Sequence, residues 1–333
     1  MRICIYGLGA IGGLMAARLG VAGHVVSAVA RGATLASVRK RGMVLVESDP
    51  EGGETRTEVP VIAADRLEDL GPQDLVILSI KSTALGEVAP LLGAALGPET
   101  TLLSTMNGIP WWFFHGLSAF EGRKTLETVD PGGGVTRALD PDRVLGCVTH
   151  LAATAPEPGV ARWIAGKGLF IGEPTGGGET PRARAICAAL SEAGFDVTAV
   201  DSIQREIWLK LWGNMTMNPV SALTGASCDR ILDDPLLRAF LSRCMVEAAE
   251  VGGRIGIPID MDPEGRHAMT RKLGAFRTSM LQDADAGKPL ELDALVAAVR
   301  EIAGQVGVKT PNIDALFGMI RVQARTRGLY PED

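Results

Sequence analysis

The chain has 333 residues, 46% of them hydrophobic and 22% charged, which is enough for about two domains with sizeable cores. Asp and Glu (39) outnumber Lys and Arg (33), and the formal net charge of -6 argues against sequence-independent binding of nucleic acid phosphates. No apolar stretch reaches the roughly 18 residues of a membrane span. Five dispersed cysteines without a CxxC pair predict no metal site and fit a reducing compartment. We therefore expect a soluble, cytoplasmic protein that binds neither nucleic acid nor membrane.

The N-terminal part of the sequence alternates between strand and helix patterns. A glycine-rich turn at residues 7–13 separates an apolar strand from a helix over 14–19, and a second strand follows, so the pattern is that of a βαβ unit. Parallel strands of this kind need helices on both faces, which predicts a doubly wound α/β sheet. The predicted buried strands are residues 2–6, 24–30, 75–80 and 101–104.

From about residue 130 to 200 the sequence gives short β-type runs separated by glycine and proline, and afterwards helical periodicity takes over. This change predicts a dinucleotide-type sheet domain over residues 1–200 and an all-helical domain over residues 201–333. One helix should begin at Asp233 or Asp234 with Pro235 in its first turn. Another is predicted over 263–286 and a third after Pro289, and the apolar character of this region makes a homodimer plausible.

The glycine-rich turn has the pattern GxGxxG, placed between a strand and a helix. The first glycine permits a tight turn, the second lets the backbone approach a pyrophosphate, and the third allows close helix–strand packing. Arg2 and the following apolar run could instead belong to a secretory signal, but the spaced glycines favour a Rossmann-type dinucleotide site. Its predicted residues are Gly7, Leu8, Gly9, Ala10, Ile11 and Gly12.

The end of the second strand indicates which dinucleotide binds. A carboxylate there would bind the ribose 2′-hydroxyl of NAD, but this chain has Ala30 and Arg31. A guanidinium suits the 2′-phosphate of NADP. We therefore expect NADP as the cofactor and Arg31 as the residue that binds its 2′-phosphate. Arg39, Lys40 and Arg41 could add to the positive field, or they could form an ordinary solvated loop.

The helical region contains Lys210, Asn214 and Asn218 at four-residue spacing within IWLKLWGNMTMNPVSALT. Residues at this spacing lie on one helix face. A solvent-facing stripe usually carries several charges, whereas this row has one lysine and two amides in apolar surroundings. We therefore interpret the row as a site where a lysine donates a proton to a carbonyl oxygen and amides hold a small polar substrate.

Four further residues are less informative by themselves. Lys81 and Asn107 follow strands at the end where ligands bind open α/β sheets, although both residue types are common in loops. Ser279 and Glu291 fit equally well a helix surface and a first helical turn. Taken together, however, these motifs resemble the ketopantoate reductase family, and the resemblance covers nearly the whole of this chain. In chain order the motifs are GLGAIG, Lys81, MNGI, WLKLxxNxxxNPVSALTG, SMLQD and ELD.

The resemblance implies NADPH-dependent reduction of 2-dehydropantoate to (R)-pantoate without a metal. It implies that Lys210 is the proton donor and that Glu291 contacts the cofactor and supports this lysine. Asn214, Asn218 and Ser279 correspond to substrate ligands. Lys81 and Asn107 correspond to cofactor contacts, Asn107 also lies near the substrate, and Ala152 corresponds to a backbone contact with the cofactor.

Two departures from the family pattern leave alternatives open. Val296 and Ala297 stand where relatives commonly have Asn-Gly, and residues 111–114 are four bulky rings, WWFF. Those rings would form a packed core or line the site for a bulkier 2-keto acid. A β-hydroxyacid dehydrogenase and an NADPH-binding regulator without turnover are the other readings, the latter disfavoured because Lys210 and Glu291 are both present.

Overall fold

The computed structural model describes residues 1–48, 52–120 and 125–332. The chain divides into two compact units, one formed by Met1–Met106 and Gly134–Ile203 and the other by Asn107–Gly133 and Gln204–Asp333. The sequence placed a single boundary between residues 200 and 201. The structure differs from this prediction in the segment of residues 107–133, which belongs to the second unit together with the helices.

The first unit is built on one mixed sheet, which has ten strands in the described residues. The strands are β1 (Arg2–Tyr6), β2 (Val25–Val29), β3 (Met43–Ser48), β4 (Glu54–Val59), β5 (Ile62–Ala64), β6 (Leu75–Leu78), β7 (Thr101–Ser104), β8 (Val144–Thr154), β9 (Val160–Gly172) and β10 (Asp196–Ala199). The helices are α1 (Ala10–Val21), α2 (Gly32–Arg41), α3 (Leu85–Ala95), α4 (Gly134–Ala138) and α5 (Pro181–Glu192).

The strand order is β4-β3-β9-β8-β7-β6-β1-β2-β5, with β10 beside β9. Strand β1 pairs in parallel with β2 on one side and with β6 on the other, so the chain changes direction across the sheet at β1. In open α/β sheets ligands bind at such a switch point, beyond the carboxyl ends of the strands. The doubly wound, Rossmann-type sheet predicted from the sequence is confirmed.

The first helix begins earlier than predicted. It starts at Ala10 rather than at residue 14, because the last residues of the glycine motif already form its first turn. The extended Gly9 precedes the helix, and Gly13 N–H donates to the Gly9 carbonyl at 2.8 Å. The motif therefore places a helix N-terminus directly after β1.

The second unit is helical in its C-terminal part. Its helices are α6 (Ile203–Thr224), α7 (Cys228–Asp233), α8 (Pro235–Arg254), α9 (Pro263–Arg271), α10 (Ser279–Asp285), a π-helical turn over Asp293–Ala297, α11 (Ala298–Val306) and α12 (Pro311–Thr326). The predicted cap of α8 is confirmed, since the Asp234 carboxylate accepts from the Leu236 and Leu237 N–H groups at 3.0 and 2.9 Å. None of the described helices is long and apolar enough to cross a membrane.

The single helix predicted over residues 263–286 is wrong. It is two helices, α9 and α10, separated by a turn in which Gly274 has a φ of +63°. Thr278 then restarts helical structure, because its hydroxyl oxygen accepts from Leu281 N–H at 3.2 Å. A left-handed glycine followed by a Thr cap is the usual stop and start signal for helices.

The four rings of residues 111–114 are core residues of the second unit. All four are less than 5% exposed. Phe113 stacks on Trp208 of α6 with centroids 6.0 Å apart, and Phe114 stacks on Phe120 at 3.9 Å. Glu301 of α11 also binds the segment of residues 107–133, because its carboxylate accepts a hydrogen bond from the Glu127 N–H at 2.9 Å. The packed-core reading of these rings is therefore the one that the structure supports.

Candidate active site

The glycine motif of the first unit is shaped by close backbone contacts. Gly7 has a φ of +102°, and a Cβ atom there would lie 2.7 Å from the Ser79 carbonyl oxygen after β6. A Cβ at Gly12 would lie 2.1 Å from the Gly7 carbonyl oxygen. At Gly9, by contrast, a Cβ would meet no atom within 4 Å. The outer two glycines serve packing, and the middle one leaves open space beside the helix N-terminus.

This geometry fits a dinucleotide. The first turn of α1 contains Ala10, Ile11 and Gly12 and has no acidic residue. Its backbone N–H groups can therefore donate hydrogen bonds to a pyrophosphate, which the positive end of the helix dipole also favours. The Gly9 position allows the phosphate to approach the backbone closely. Leu8, the remaining residue of the motif, packs against the core of this unit.

Arg31 lies where the sequence predicted it, two residues beyond the end of β2 and immediately before α2. Its side chain is exposed, and its charge acts on Tyr6, whose pKa is raised by burial and partly lowered again by Arg31. The neighbouring arginines have other partners. Arg39 forms an ion pair with Asp65 at 3.3 Å, and Arg41 donates to the Pro158 carbonyl at 3.4 Å. Arg31 is therefore the better placed of these arginines to read a phosphate.

Lys81 and Ala152 also lie in the first unit. Lys81 is exposed and precedes a short 3-10 turn, Ser82–Ala84, after β6, at the carboxyl edge that also carries Gly7. Ala152 is half-buried in β8, at a point where the pairing with β9 shifts its register. Such an irregularity frees backbone groups from the ladder, which suits the backbone contact that the resemblance implies.

In the second unit, the structure brings Lys210 and Asn107 together. The Lys210 ammonium donates a hydrogen bond to Asn107 Oδ1 at 2.8 Å, although the two residues are 103 positions apart. Both side chains are half-buried. A charged donor in such surroundings makes a stronger hydrogen bond than a neutral one, so this contact contributes to the position of Nζ.

The polar row predicted on α6 is present on one continuous helix. Lys210 and Asn214 are half-buried and Asn218 is buried, so the row is not a solvent-facing stripe. Sequence reasoning missed Glu206, which extends the row by one turn toward the N-terminus and is also half-buried; burial raises the pKa of its carboxyl. The same four-residue spacing could have identified it.

Glu291 and Ser279 occupy different surroundings. Glu291 is buried, with 6% of its surface exposed, two residues before the π-helical turn. Ser279 is exposed and is the first residue of α10. In place of the Asn-Gly pair common in relatives, Val296 and Ala297 are buried within the turn. Among the described residues, no group of three His, Cys, Asp or Glu side chains is arranged to hold a metal ion.

The loop that carries Asn107 rests on the π-helical turn. Ile109 N–H donates to the Ala294 carbonyl at 2.8 Å. Gly108 has a φ of +79°, and a Cβ there would lie 2.5 Å from the same carbonyl oxygen. Only glycine allows this approach. The sequence showed the Asn-Gly turn but gave no signal of the turn on which it rests.

Comparisons with known proteins show the family of this chain. Residues 3–176 match the family model "Ketopantoate reductase PanE/ApbA", and residues 202–324 match "Ketopantoate reductase PanE/ApbA C terminal". A 2-dehydropantoate 2-reductase of Mesorhizobium japonicum is 40% identical over 99% of this chain and 100% of its own.

Solved structures show the same fold. A candidate ketopantoate reductase from Ralstonia solanacearum MolK2 is 50% identical, with a TM-score of 0.92 over 99% of both chains. A D-mandelate dehydrogenase solved with NADH and anilino(oxo)acetate has a TM-score of 0.81 at 19% identity, over 98% of this chain and 100% of its own. The chain thus belongs to the ketopantoate reductase family of NAD(P)-dependent oxidoreductases.

Proposed function

We propose that the protein catalyses the NADPH-dependent reduction of 2-dehydropantoate to (R)-pantoate, a step toward pantothenate and coenzyme A. The observation that carries the proposal is the hydrogen bond from Lys210 Nζ to Asn107 Oδ1 at 2.8 Å, at the start of a half-buried row of amides. Membership of a family whose relatives are named 2-dehydropantoate 2-reductase supports the choice of substrate.

In this proposal Lys210 donates its proton to the keto oxygen as negative charge develops there. Asn107 holds the ammonium in place, so little reorganisation is needed at the moment of reaction. Asn214 and Asn218 bind the polar groups of the substrate along the same helix face. When bound, NADPH supplies the hydride for the reduction, and no metal is needed because the ammonium neutralises the forming alkoxide.

The remaining site residues keep the roles that the family resemblance implies. Ser279 binds substrate, and Glu291 supports Lys210 and contacts the cofactor. The residues assigned to cofactor binding are Gly7, Leu8, Gly9, Ala10, Ile11, Gly12, Arg31, Lys81, Asn107 and Ala152. A homodimer and a cytoplasmic location belong to the same proposal.

The preference for NADP over NAD rests on Arg31. No carboxylate follows β2, and this exposed guanidinium can form bidentate bonds with a 2′-phosphate. The D-mandelate dehydrogenase with the same fold was solved with NADH, so the fold by itself does not select the phosphate. The side chain after β2 therefore decides the preference.

The proposed substrate is tested by steady-state kinetics with a panel of 2-keto acids and NADPH. We expect the highest kcat/KM for 2-dehydropantoate, because the burial of the rings at residues 111–114 removes the argument for a larger substrate. Phenylglyoxylate probes a bulkier site, and 2-ketoisovalerate probes the contribution of the substrate hydroxyl. A higher kcat/KM for phenylglyoxylate would contradict the proposed substrate.

The same assay separates the two other classes. Oxidation of 3-hydroxy acids with NAD as the best reaction would make the protein a β-hydroxyacid dehydrogenase. Binding of NADPH without turnover of any 2-keto acid would make it a regulator. Either result would overturn the proposed reductase activity.

A further inference from the structure

The C-terminal segment after α12 is attached to the stretch that carries Glu291. Leu290 N–H donates to the Leu329 carbonyl at 2.9 Å, and the Tyr330 hydroxyl donates to Asp293 Oδ1. These bonds flank Glu291, one on each side. They join residues that are 39 and 37 positions apart in the sequence. The C-terminal segment is therefore hydrogen-bonded to the beginning of the π-helical turn.

The contact between the C-terminal segment and the π-helical turn is partly buried, and Arg325 makes further contacts with the segment. Leu290 and Leu329 are buried, and Tyr330 is half-buried. Burial raises the pKa of the Asp293 carboxyl, and it also raises the pKa of Tyr330, with the bond to Asp293 adding to the effect. Arg325 supports the segment, because its Nε donates to the Pro331 carbonyl at 2.8 Å and its guanidinium lies 5.9 Å from the centre of the Tyr330 ring.

Asp293 is the first residue of the π-helical turn. Its carbonyl accepts from Ala298 N–H, five residues later, whereas a regular α-helix uses four-residue spacing. Widened turns of this kind are frequent at functional sites. Here the next carbonyl along, that of Ala294, accepts from Ile109 of the Asn107 loop. The shape of the turn therefore determines where the Asn107 loop lies.

The contacts form one continuous chain within the second unit. Tyr330 contacts Asp293, the turn beginning at Asp293 presents the Ala294 carbonyl to Ile109, and Asn107 accepts from Lys210. We propose that Tyr330 and Asp293 are positioning residues, whose hydrogen bond fixes the π-helical turn and thereby keeps Asn107 Oδ1 within reach of the Lys210 ammonium. This inference deepens the proposed reductase activity and rests on it for its kinetic consequences.

The test compares Tyr330→Phe, Asp293→Ala and Asp293→Asn with the unmodified protein. Tyr330→Phe removes only the hydroxyl, and Asp293→Asn keeps an oxygen that can accept from it. Loss of one hydrogen bond corresponds to a change of about 2- to 12-fold. We expect kcat to fall in this range for Tyr330→Phe and Asp293→Ala, while Asp293→Asn keeps kcat within about twofold.

A merely structural role is separated by a matched control. The Ser242 hydroxyl is hydrogen-bonded to His267 at 2.9 Å between α8 and α9 and donates to the Arg238 carbonyl at 3.0 Å, so Ser242→Ala removes hydrogen bonds within the same unit at residues without an assigned role in the site. It should lower the free energy of unfolding comparably and leave kcat unchanged. In Tyr330→Phe and Asp293→Ala we expect the loss in kcat without a change beyond about twofold in KM or in the dissociation constant of NADPH.

A readout independent of turnover completes the test. Crystal structures of the unmodified protein and of Tyr330→Phe should show the distance from Lys210 Nζ to Asn107 Oδ1 increasing beyond about 3.5 Å in the variant. An unchanged distance, or an equal loss of kcat in Asp293→Asn and Asp293→Ala, would overturn the positioning role. If the distance increases but the unmodified protein reduces no 2-keto acid, the proposed function fails and the positioning inference stands.

Discussion

The hydrogen bond between Lys210 and Asn107 predicts a coupling that a double-mutant cycle can measure. The perturbations are Asn107→Ala, which removes the accepting oxygen, and Lys210→Met, which removes the ammonium but keeps an unbranched side chain. The bond joins a charged donor to an amide oxygen at 2.8 Å between half-buried residues. Hydrogen bonds to charged groups contribute about 1.5–3 kcal/mol, so Asn107→Ala should lower kcat about 10- to 150-fold.

The assay is kcat for reduction of 2-dehydropantoate by the unmodified protein, the two single variants and the double variant. If Asn107 acts through Lys210, Asn107→Ala should cost less than about threefold in the Lys210→Met background. Thr216→Ala on the same helix is the control, because the Thr216 hydroxyl donates to the Gly213 carbonyl of α6. An equal loss from Asn107→Ala in both backgrounds would refute the reasoning.

Three further predictions concern the cofactor and stability. Arg31→Asp should weaken NADPH binding at least about tenfold more than NADH binding, and fluorescence titration showing equal losses would contradict its role. Gly12→Ala should weaken NADPH binding more than about tenfold, since its Cβ would lie 2.1 Å from the Gly7 carbonyl oxygen; unchanged titration would show that the turn tolerates a side chain. Burial and neighbouring arginines lower the pKa of His267, so the unfolded chain takes up a proton first as pH falls below about 6.5. The free energy of unfolding should therefore decrease below that pH in urea titrations, and less steeply in His267→Gln; equal slopes would exclude His267 as the cause.

The sheet domain could be predicted from sequence because its signals are local. Gly7 and Gly12 lie between an apolar strand and a helix, and only glycine fits their close contacts. The row from Lys210 to Asn218 could be predicted for the same reason, since one continuous helix carries it. In both cases short-range geometry decides which residues share a face.

Two other features were not predicted. The break between α9 and α10 follows from Gly274 and the Thr278 cap, local signals that the prediction of a single helix did not take into account. The place of residues 107–133, by contrast, depends on contacts that no local pattern contains. This segment belongs to the helical unit because its rings pack on Trp208 and its backbone binds Glu301. Neither partner is near it in sequence.

The support of the site was the least predictable part. Asp293 and Tyr330 are 37 residues apart, and the π-helical turn between Asp293 and Ala297 has no sequence signature that distinguishes it from an α-helix. Without the structure of this turn, the sequence could not show whether Val296 and Ala297 take the place of a polar support of the site. In the structure, backbone hydrogen bonds of the turn hold the Asn107 loop.

The central claim is that the Lys210 ammonium protonates the substrate. Its most direct test is the single-turnover rate of NADPH oxidation by Lys210→Met with saturating 2-dehydropantoate, compared with that of the unmodified protein. General acid catalysis contributes about 10²- to 10⁴-fold, so the rate should fall by that factor while the dissociation constant of NADPH stays within about twofold. A rate within about threefold of the unmodified protein would contradict the account.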